Sequence, residues 1–159
     1  MQSEPQAEHH WLHRLIGEWS YEAECTMGPG QAPMRATGSE RVRSLGGLWV
    51  VCEGHGEMPG GGPATMIMTL GYDPRTKRYR GTWVGSMMTH LWVYDGTLDA
   101  QERTLSLEAE GPDFSGEGSA LYRDVIELRS DDHRVLTSHK LGEDGAWQAF
   151  MTARYRRTA

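Results

Sequence analysis

The sequence has few cysteines, no long apolar run and no excess of basic residues, and each absence excludes a class of protein. Its two cysteines, Cys25 and Cys52, have neither the CxxC spacing of metal and redox motifs nor the number that a disulfide framework needs. No stretch approaches the roughly 18 apolar residues of a transmembrane helix. A net charge of −6 and a pI near 5.6 argue against a nucleic-acid partner, which normally requires a basic face.

The beginning of the chain and its glycine run also lack recognisable signals. Residues 1–6 carry neither the charged nor the apolar segment of a secretory signal, and both cysteines are interpreted as small buried hydrophobic residues. We therefore expect a cytoplasmic protein without membrane association. The glycines at 60–62 are not followed by the Gly-Lys-Ser/Thr of a phosphate loop, and the sequence contains no Gly-x-Ser-x-Gly nucleophile elbow.

Aromatic bulk is what the chain does have. Fourteen of its 159 residues are aromatic and six of these are Trp, although only 38% of the residues are hydrophobic. The length predicts one domain over residues 1–159 with a bulky rather than aliphatic core. A helix is predicted over 5–16, with an apolar stripe and a stop at Gly17. The apolar stripe consists of Trp11, Leu12, Leu15 and Ile16. The polar face, which we interpret as solvated, carries His9, His10 and His13.

After Gly17 the apolar period changes from 3.6 to 2, which indicates half-buried strands. In the first strand the apolar residues are Trp19, Tyr21, Ala23, Cys25 and Met27. Further strands are predicted at 36–45, 48–57, 64–72, 78–94 (as two, broken near Ser86 and Met87), 103–110, 121–130, 133–142 and 146–156. Turn residues separate them, including Pro59 and Gly60. The fold class is therefore all-β, an antiparallel up-and-down barrel of about nine to ten strands over 18–156.

Three turns predict hairpin registers that place an apolar set on one side of the sheet. The predicted pairs are Asp124 with His139 across a two-residue loop at 131–132, Thr137 with Met151 across a loop at 143–145 with Gly145 left-handed, and Met68 with Trp83 across a loop at 74–77. The interior is then uneven. Its bulky residues are Trp19, Met66, Met68, Trp83, Trp92, Trp147 and Met151, and its small ones are Gly81, Ala149 and Ala153.

An apolar interior with a few convergent polar groups is typical of a small-molecule site, and a barrel of this size is wide enough to hold one. We therefore expect a binding protein for a small hydrophobic or amphipathic ligand. The predicted ligand-binding residues are His139, Asp124, His90, Trp92, Tyr94, Trp83, Met68, Thr137, Met151 and Tyr155. The alternative is an enzyme of the isomerase or hydrolase type that uses Asp124 and His139 as a general base. The same pair could instead be a satisfied polar pair in the core.

Two further clusters of polar residues allow more than one interpretation. A loop at Gly46 and Gly47 would put Glu40 opposite Glu53 inside the barrel, with His55 on the same strand, whereas the opposite phase would bring Arg41, Arg43 and Cys52 inside. His55, His90 and His139 lie on three strands and could converge on a metal, although nothing in their spacing requires it. No metal or cofactor is predicted from the residues.

Several motifs extend over nearly the whole chain. They are the segment 11–19 with its Gly-x-Trp ending, and the runs at 43–49, 68–73, 81–88 and 122–125. Together they resemble the bacterial domain-of-unknown-function 1579 family, which implies a lipocalin-like (calycin) barrel without an established activity. The calycin group includes haem-binding nitrobindins, whose haem histidine lies on the last strand. Here the last strand, 146–156, has no His and His139 lies one strand earlier, so haem is only an alternative. A homodimer is left open.

Overall fold

The structure is a computed structural model that describes residues 2–26, 30–58 and 61–159. Within these ranges the chain forms a short helix, a 3₁₀ turn and ten strands. Their bounds are α1 (Ala7–Leu12), the turn (His13–Leu15), β1 (Gly17–Cys25), β2 (Met34–Leu45), β3 (Trp49–Glu57), β4 (Pro63–Asp73), β5 (Arg78–Gly85), β6 (Trp92–Leu98), β7 (Thr104–Pro112), β8 (Ser119–Ser130), β9 (His133–Leu141) and β10 (Trp147–Arg157). Met27, Pro59 and Gly60, predicted in a strand and a turn, lie outside the described residues.

The strands follow one another around a closed antiparallel barrel in which β1 pairs with both β2 and β10. This confirms the predicted all-β up-and-down barrel. The segment 78–94 is divided as predicted, by a connection at 86–91 between β5 and β6. Closure gives each described strand a hydrogen-bonded neighbour on both sides, which removes exposed edges. None of the helical segments that the structure describes has the length and apolar character to cross a bilayer.

The hairpin of β8 and β9 contains a bulge that changes which side chains face inward. The pairs next to the turn are Ser130 with His133 and Leu128 with Arg134, so Arg129 is an additional residue on β8. Asp124 therefore lies opposite Ser138 instead of the predicted His139. A shift by one residue exchanges the two faces of a strand. The prediction that Thr137 and His139 point into the barrel is wrong, and both lie on its outer face.

The hairpin of β9 and β10 has a second bulge. Gly145 is left-handed as predicted, with φ of 79°, and Trp147 lies opposite Leu141 as predicted. The register then shifts between Ala149 and Met151, and Phe150 is the additional residue. As a result Thr137 pairs with Thr152 instead of Met151.

The second bulge also separates the predicted lining residues of β10. Met151, Ala153 and Tyr155 line the interior. Trp147 and Ala149, predicted inside, precede the bulge and lie outside. The Trp147 ring is covered there by the guanidinium of Arg123, whose carbon is 4.2 Å from the ring centroid.

The hairpin of β4 and β5 has the predicted register, with Met68 opposite Trp83 and Leu70 opposite Gly81. Its turn is closed by the Lys77 amide, which donates a 2.8 Å hydrogen bond to the Asp73 carbonyl. Lys77 has a left-handed φ of 57°. No bulge interrupts this pairing over 66–85, so the register predicted from the position of the turn is correct.

The N-terminal helix closes the end of the barrel at which β1 begins. It is shorter than the predicted 5–16. The buried residues of the helix and of the 3₁₀ turn that follows it are His9, Trp11, Leu12 and Leu15. The Trp19 indole N–H donates a 2.9 Å hydrogen bond to the Leu15 carbonyl. The Arg157 guanidinium lies 4.3 Å over the Trp19 ring and donates to the carbonyls of Arg14 and Ile16. Trp19 is thus a closing residue at this end, not an open part of a ligand-binding wall.

His9 differs from its predicted solvated position, since it is only 3% exposed. The backbone N–H of Gln6 donates a 2.9 Å hydrogen bond to His9 Nδ1, so Nδ1 is an acceptor. The proton of the neutral ring is therefore on Nε2, which lies 3.1 Å from the Tyr72 carbonyl oxygen. These two bonds fix the helix to β4 and explain the burial of a histidine that the helical periodicity placed on the polar face. His10, by contrast, is exposed as predicted.

Candidate functional site

Two adjoining cavities occupy the barrel interior, with volumes of about 240 Å³ and about 200 Å³. Both are lined by Met68, Trp83, Leu136 and Met151, which form the boundary between them. The connections at 86–91 and 113–118 lie at the end of the barrel opposite α1. Phe114 and Met88 from these connections border the larger cavity. The interior is therefore closed by the helix at one end and bordered by loops at the other.

We call the larger cavity the aromatic chamber. Its lining residues are Met68, Trp83, Met88, Trp92, Tyr94, Ala109, Phe114, Tyr122, Asp124, Leu136, Ser138, Phe150 and Met151. The rings of Trp92 and Tyr122 are nearly perpendicular, at 88°, with centroids 5.0 Å apart. Gly111 permits this position of Trp92, because a Cβ atom at residue 111 would lie 2.2 Å from the indole ring.

The polar part of the aromatic chamber is a cluster of three side chains from β6, β8 and β9. The Tyr94 hydroxyl donates a 2.5 Å hydrogen bond to one Asp124 oxygen, and the Ser138 hydroxyl donates a 2.6 Å bond to the other. Asp124 is enclosed by the barrel wall, and the part of its surface that stays accessible borders the chamber. Short hydrogen bonds of this kind are typical of an ionised acceptor.

Burial and hydrogen bonding act in opposite directions on Asp124. Desolvation raises the pKa of Asp124 above its usual range, while the bonds from Ser138 and Tyr94 and the nearby His139 offset part of the rise. The pKa of Tyr94 is raised well above its ordinary value, mainly by burial and then by the carboxylate of Asp124. Tyr94 therefore stays protonated and serves as a hydrogen-bond donor to Asp124.

We call the smaller cavity the arginine chamber. Its lining residues are Leu15, Tyr21, Ala23, Cys25, Ala36, Glu40, Cys52, Gly54, Glu57, Met66, Met68, Trp83, Ile126, Arg134, Leu136, Met151, Ala153 and Tyr155. Arg134 forms an ion pair with Glu40 and lies 3.9 Å over the Tyr155 ring. Burial alone would lower the pKa of Arg134, but Glu40 and other nearby groups raise it. Arg134 is therefore charged and balanced by Glu40. Burial also raises the pKa of the Cys52 thiol, which keeps it protonated.

The structure brings many of the predicted ligand-binding residues together. Six border the aromatic chamber, namely Met68, Trp83, Trp92, Tyr94, Asp124 and Met151. Tyr155 borders the arginine chamber. Their role in binding stays a prediction, but their common position in the interior follows from the alternation within each strand.

Three predicted residues are not in the cavities. His139 lies on the outer face, where its Nδ1 is 3.3 Å from the Arg123 carbonyl oxygen, and Thr137 is on the same face. His90 lies in the connection 86–91 with its Nε2 3.0 Å from the Glu110 carbonyl oxygen. Its ring packs edge-on against Trp92, with centroids 4.7 Å apart, so it supports a wall residue from behind. The predicted general-base pair of Asp124 and His139 is therefore not formed in the interior.

The inward-facing residues of β2 and β3 match neither of the two predicted arrangements completely. Glu53 lies opposite Arg41, and its carboxylate is 3.8 Å from His55 Nε2 at the surface. Glu40 and Cys52 face inward, so the two carboxylates Glu40 and Glu53 do not share a site. His55, His90 and His139 do not converge. Over the described ranges, no group of three or more His, Cys, Asp or Glu side chains is placed to hold a metal ion. The histidine considered for haem, His139, is on the outer face.

Several interior residues were missed in the sequence. The predicted register, with Thr137 and His139 inside, puts Ser138 and Arg134 on the outer face, because the bulge at Arg129 carries no Gly or Pro that would reveal it. Tyr122 offered a usable signal, since it stands two residues before Asp124 on the same strand face. Phe114 lies in a connection outside any periodic pattern, and Phe150 is the bulge residue. The chamber is therefore more aromatic than the sequence pattern indicated.

Solved structures of similar fold share little sequence with the chain. Rv2717c from M. tuberculosis has a TM-score of 0.63 at 12% identity, covering 98% of this chain and 100% of that one. EF1p2_mFAP2b bound to DFHBI has a TM-score of 0.51 at 14% identity, covering 94% and 98%. A de novo designed fluorescence-activating β-barrel has a TM-score of 0.51 at 13% identity, covering 92% and 95%. At these identities the likeness shows a common barrel fold alone.

None of the curated proteins matches the chain significantly. A family model described as "Protein of unknown function (DUF1579)" matches residues 4–157. The match extends from the segment before α1 to the end of β10 and thus includes both the helix and the whole barrel. This confirms the resemblance deduced from the sequence motifs.

Proposed function

The chain belongs to the DUF1579 family, proteins of unknown function, and we propose that it binds a small, largely apolar molecule in the aromatic chamber. The observation that carries the proposal is the combination of apolar walls with one polar cluster, Tyr94, Asp124 and Ser138. Apolar walls supply affinity through burial, while a few fixed polar groups orient the ligand. EF1p2_mFAP2b, whose fold is similar, was solved bound to DFHBI, which agrees with a barrel of this kind holding a small molecule.

The volume limits the size of the ligand. Drug-sized ligands occupy pockets of about 300–1,000 Å³, and an engineered apolar cavity of about 150 Å³ binds benzene. The aromatic chamber, at about 240 Å³, lies between these values. A single ring with a short substituent, or a compact aliphatic group of similar size, would fit. A larger ligand would need to displace the side chains that border both chambers, such as Met68 and Met151.

The predicted enzymatic alternative receives no support from its proposed base, because His139 does not reach Asp124 inside the barrel. The arginine chamber is also a weaker candidate for the binding site. Its charged group, Arg134, is already paired with Glu40 and covered by aromatic rings. The aromatic chamber is therefore the favoured site.

The test is the binding of isobutylbenzene, a neutral single-ring probe within this size limit, to the purified chain, measured by titration calorimetry. Ala109 is buried and borders the aromatic chamber, so Ala109→Phe should fill it and reduce binding at least about tenfold. The matched control is Ala149→Phe, since Ala149 is exposed on the outer face. Melting temperatures establish that both variants are folded. Equal binding by wild type and Ala109→Phe would place the probe elsewhere, and no binding of isobutylbenzene at all would contradict the proposal.

A further inference from the structure

The aromatic chamber contains one ionisable carboxylate and no basic side chain among its lining residues, all of which the structure describes. Two basic groups on the neighbouring strand β9 are engaged elsewhere. His139 is on the outer face of β9, and Lys140 forms an ion pair with Asp113 beside the Phe114 ring. The arginine chamber differs, since its Arg134 is matched by Glu40. Asp124 is therefore a half-buried acid in the barrel interior, and no cationic side chain among the lining residues balances its charge.

The aromatic rings around Asp124 add negative potential of their own. The face of an aromatic ring carries partial negative charge, and cations bind over it, best over Trp. Trp83, Trp92 and Tyr122 all border the chamber. Because the rings of Trp92 and Tyr122 are nearly perpendicular, they form adjoining walls instead of a stack. A cavity with such walls and one carboxylate matches a positively charged organic group.

From this arrangement we infer that the ligand is an organic cation, an amine or quaternary ammonium group on a small apolar body, with its charge directed to Asp124. The inference rests on the proposed binding function and specifies its ligand class. A neutral ligand would leave the charge of Asp124 unbalanced in an apolar interior, and an anion would be repelled by it. The net charge of −6 would further favour the approach of cations.

The hydrogen bonds already made by Asp124 are compatible with this ligand. An ionised carboxylate has about four acceptor positions, and Tyr94 and Ser138 use one on each oxygen. An ammonium N–H can occupy a remaining position. A quaternary ammonium group, which has no donor, would be held by charge and by the aromatic faces alone. Tyr94 and Ser138 thus act as positioning residues for the carboxylate.

The experiment compares three single-ring probes by titration calorimetry on the whole chain. Benzyltrimethylammonium is the cation, neopentylbenzene is its neutral isostere, and benzyl alcohol is a neutral hydrogen-bond donor. We expect the cation to bind at least about tenfold more tightly than either neutral probe. Neutral probes that bind as tightly as the cation would overturn the cation inference and leave the proposed function intact. If neither these probes nor isobutylbenzene binds, the proposed function fails as well.

Two variants identify the group that causes the preference. Asp124→Asn should abolish the preference for benzyltrimethylammonium while neopentylbenzene binds as before. Glu127→Gln is the matched control, because Glu127 is on the same strand but pairs with Arg129 at the surface. The control should keep the wild-type preference. An unchanged preference in Asp124→Asn, or an equal loss in Glu127→Gln, would overturn the assignment to Asp124.

The pH dependence of wild-type binding supplies a test without any mutation. The titratable groups close to Asp124 are Tyr94 from β6 and His139 from β9. Tyr94 stays protonated at neutral pH. Protonation of Asp124 removes the charge that attracts the cation, so cation binding weakens as the pH falls. The affinity for benzyltrimethylammonium should decrease as the pH is lowered, whereas the affinity for neopentylbenzene should not change. If the two affinities changed in parallel with pH, the inference would be contradicted.

Discussion

The Ser138 hydroxyl donates a 2.6 Å hydrogen bond to the Asp124 carboxylate across the β8–β9 hairpin. The pair exists because Arg129 is an additional residue on β8, which brings Ser138 instead of His139 opposite Asp124. Tyr94 bonds the second oxygen from β6, so the carboxylate is fixed from both sides. A bulge near the turn of the hairpin thus determines the chemistry of the chamber.

Removing the Ser138 hydroxyl should destabilise the barrel. In Ser138→Ala one oxygen of Asp124 loses its donor in an enclosed position, and an unsatisfied buried polar group costs about 1–3 kcal/mol. We expect the free energy of unfolding, measured by urea denaturation at neutral pH, to fall by that amount. Thr137→Ala is the control, because Thr137 is the neighbouring residue on the outer face, and its change should be smaller. If the two variants are equally stable, the bond contributes nothing measurable.

Asp124→Asn should stabilise the protein relative to wild type as the pH rises. The pKa of Asp124 is raised in the folded state by burial, whereas an unfolded Asp has a pKa of about 3.9. Between these two values the folded chain binds more protons than the unfolded chain, so wild-type stability falls with rising pH. Asparagine is neutral, like the protonated acid, so the variant does not lose stability in this way as the pH rises.

Melting temperatures of both proteins measured from about pH 4 to pH 8 check this prediction. The difference between Asp124→Asn and wild type should grow in favour of the variant as the pH increases. Glu127→Gln, which removes a surface charge from the same strand, should show no such growth. A difference that shrinks with increasing pH would mean that the pKa of Asp124 is lowered by folding.

The barrel itself could be predicted because its evidence is local and repeated. Alternation along each strand and Gly, Pro and Asp residues in the turns all indicate the same sheet, and an error in one strand does not alter the others. The hairpin of β4 and β5, which has no bulge, was correct to the residue. The site was harder to predict, because whether a side chain points into or out of the barrel depends on every residue between it and the turn.

The failures at His139 and His9 have distinct physical reasons. A bulge at Arg129 exchanged the faces of β9, and its residue type gives no sign of a bulge. His9 is buried because its ring accepts from Gln6 and reaches the Tyr72 carbonyl, a contact between residues 63 positions apart. Helical periodicity describes one face of one helix and carries no information about such a distant partner.

Gly111→Ala should disturb the aromatic chamber. A Cβ atom there would lie 2.2 Å from the Trp92 ring, so the indole must move, at a cost of about 1–3 kcal/mol. We expect a lower melting temperature, a change in tryptophan emission and weaker binding of isobutylbenzene. Gly54→Ala is the control, since the atom closest to its Cβ would be the flexible end of Met66 at 3.2 Å. Equal effects of both variants would show that the contact with Trp92 is not the cause.

The ion pair of Arg134 and Glu40 should respond differently to single and double substitution. Their side chains are only 4% and 13% exposed, so Arg134→Leu leaves a carboxylate without its partner inside the barrel. Breaking a buried pair in this way costs about 3–5 kcal/mol, whereas replacing both partners by apolar residues is often neutral. The double variant Arg134→Leu with Glu40→Leu should therefore recover most of the stability that the single variant loses.

Arg41→Leu gives the surface reference for this comparison. Arg41 pairs with Glu18 at 2.5 Å, but their side chains are 73% and 45% exposed, and such pairs contribute about 0–1 kcal/mol. Urea denaturation of the wild type, Arg134→Leu, the double variant and Arg41→Leu gives the four free energies of unfolding to compare. If the double variant were as unstable as Arg134→Leu alone, the loss would come from the packing of Arg134 against Trp19 and Tyr155 instead of from an unbalanced charge.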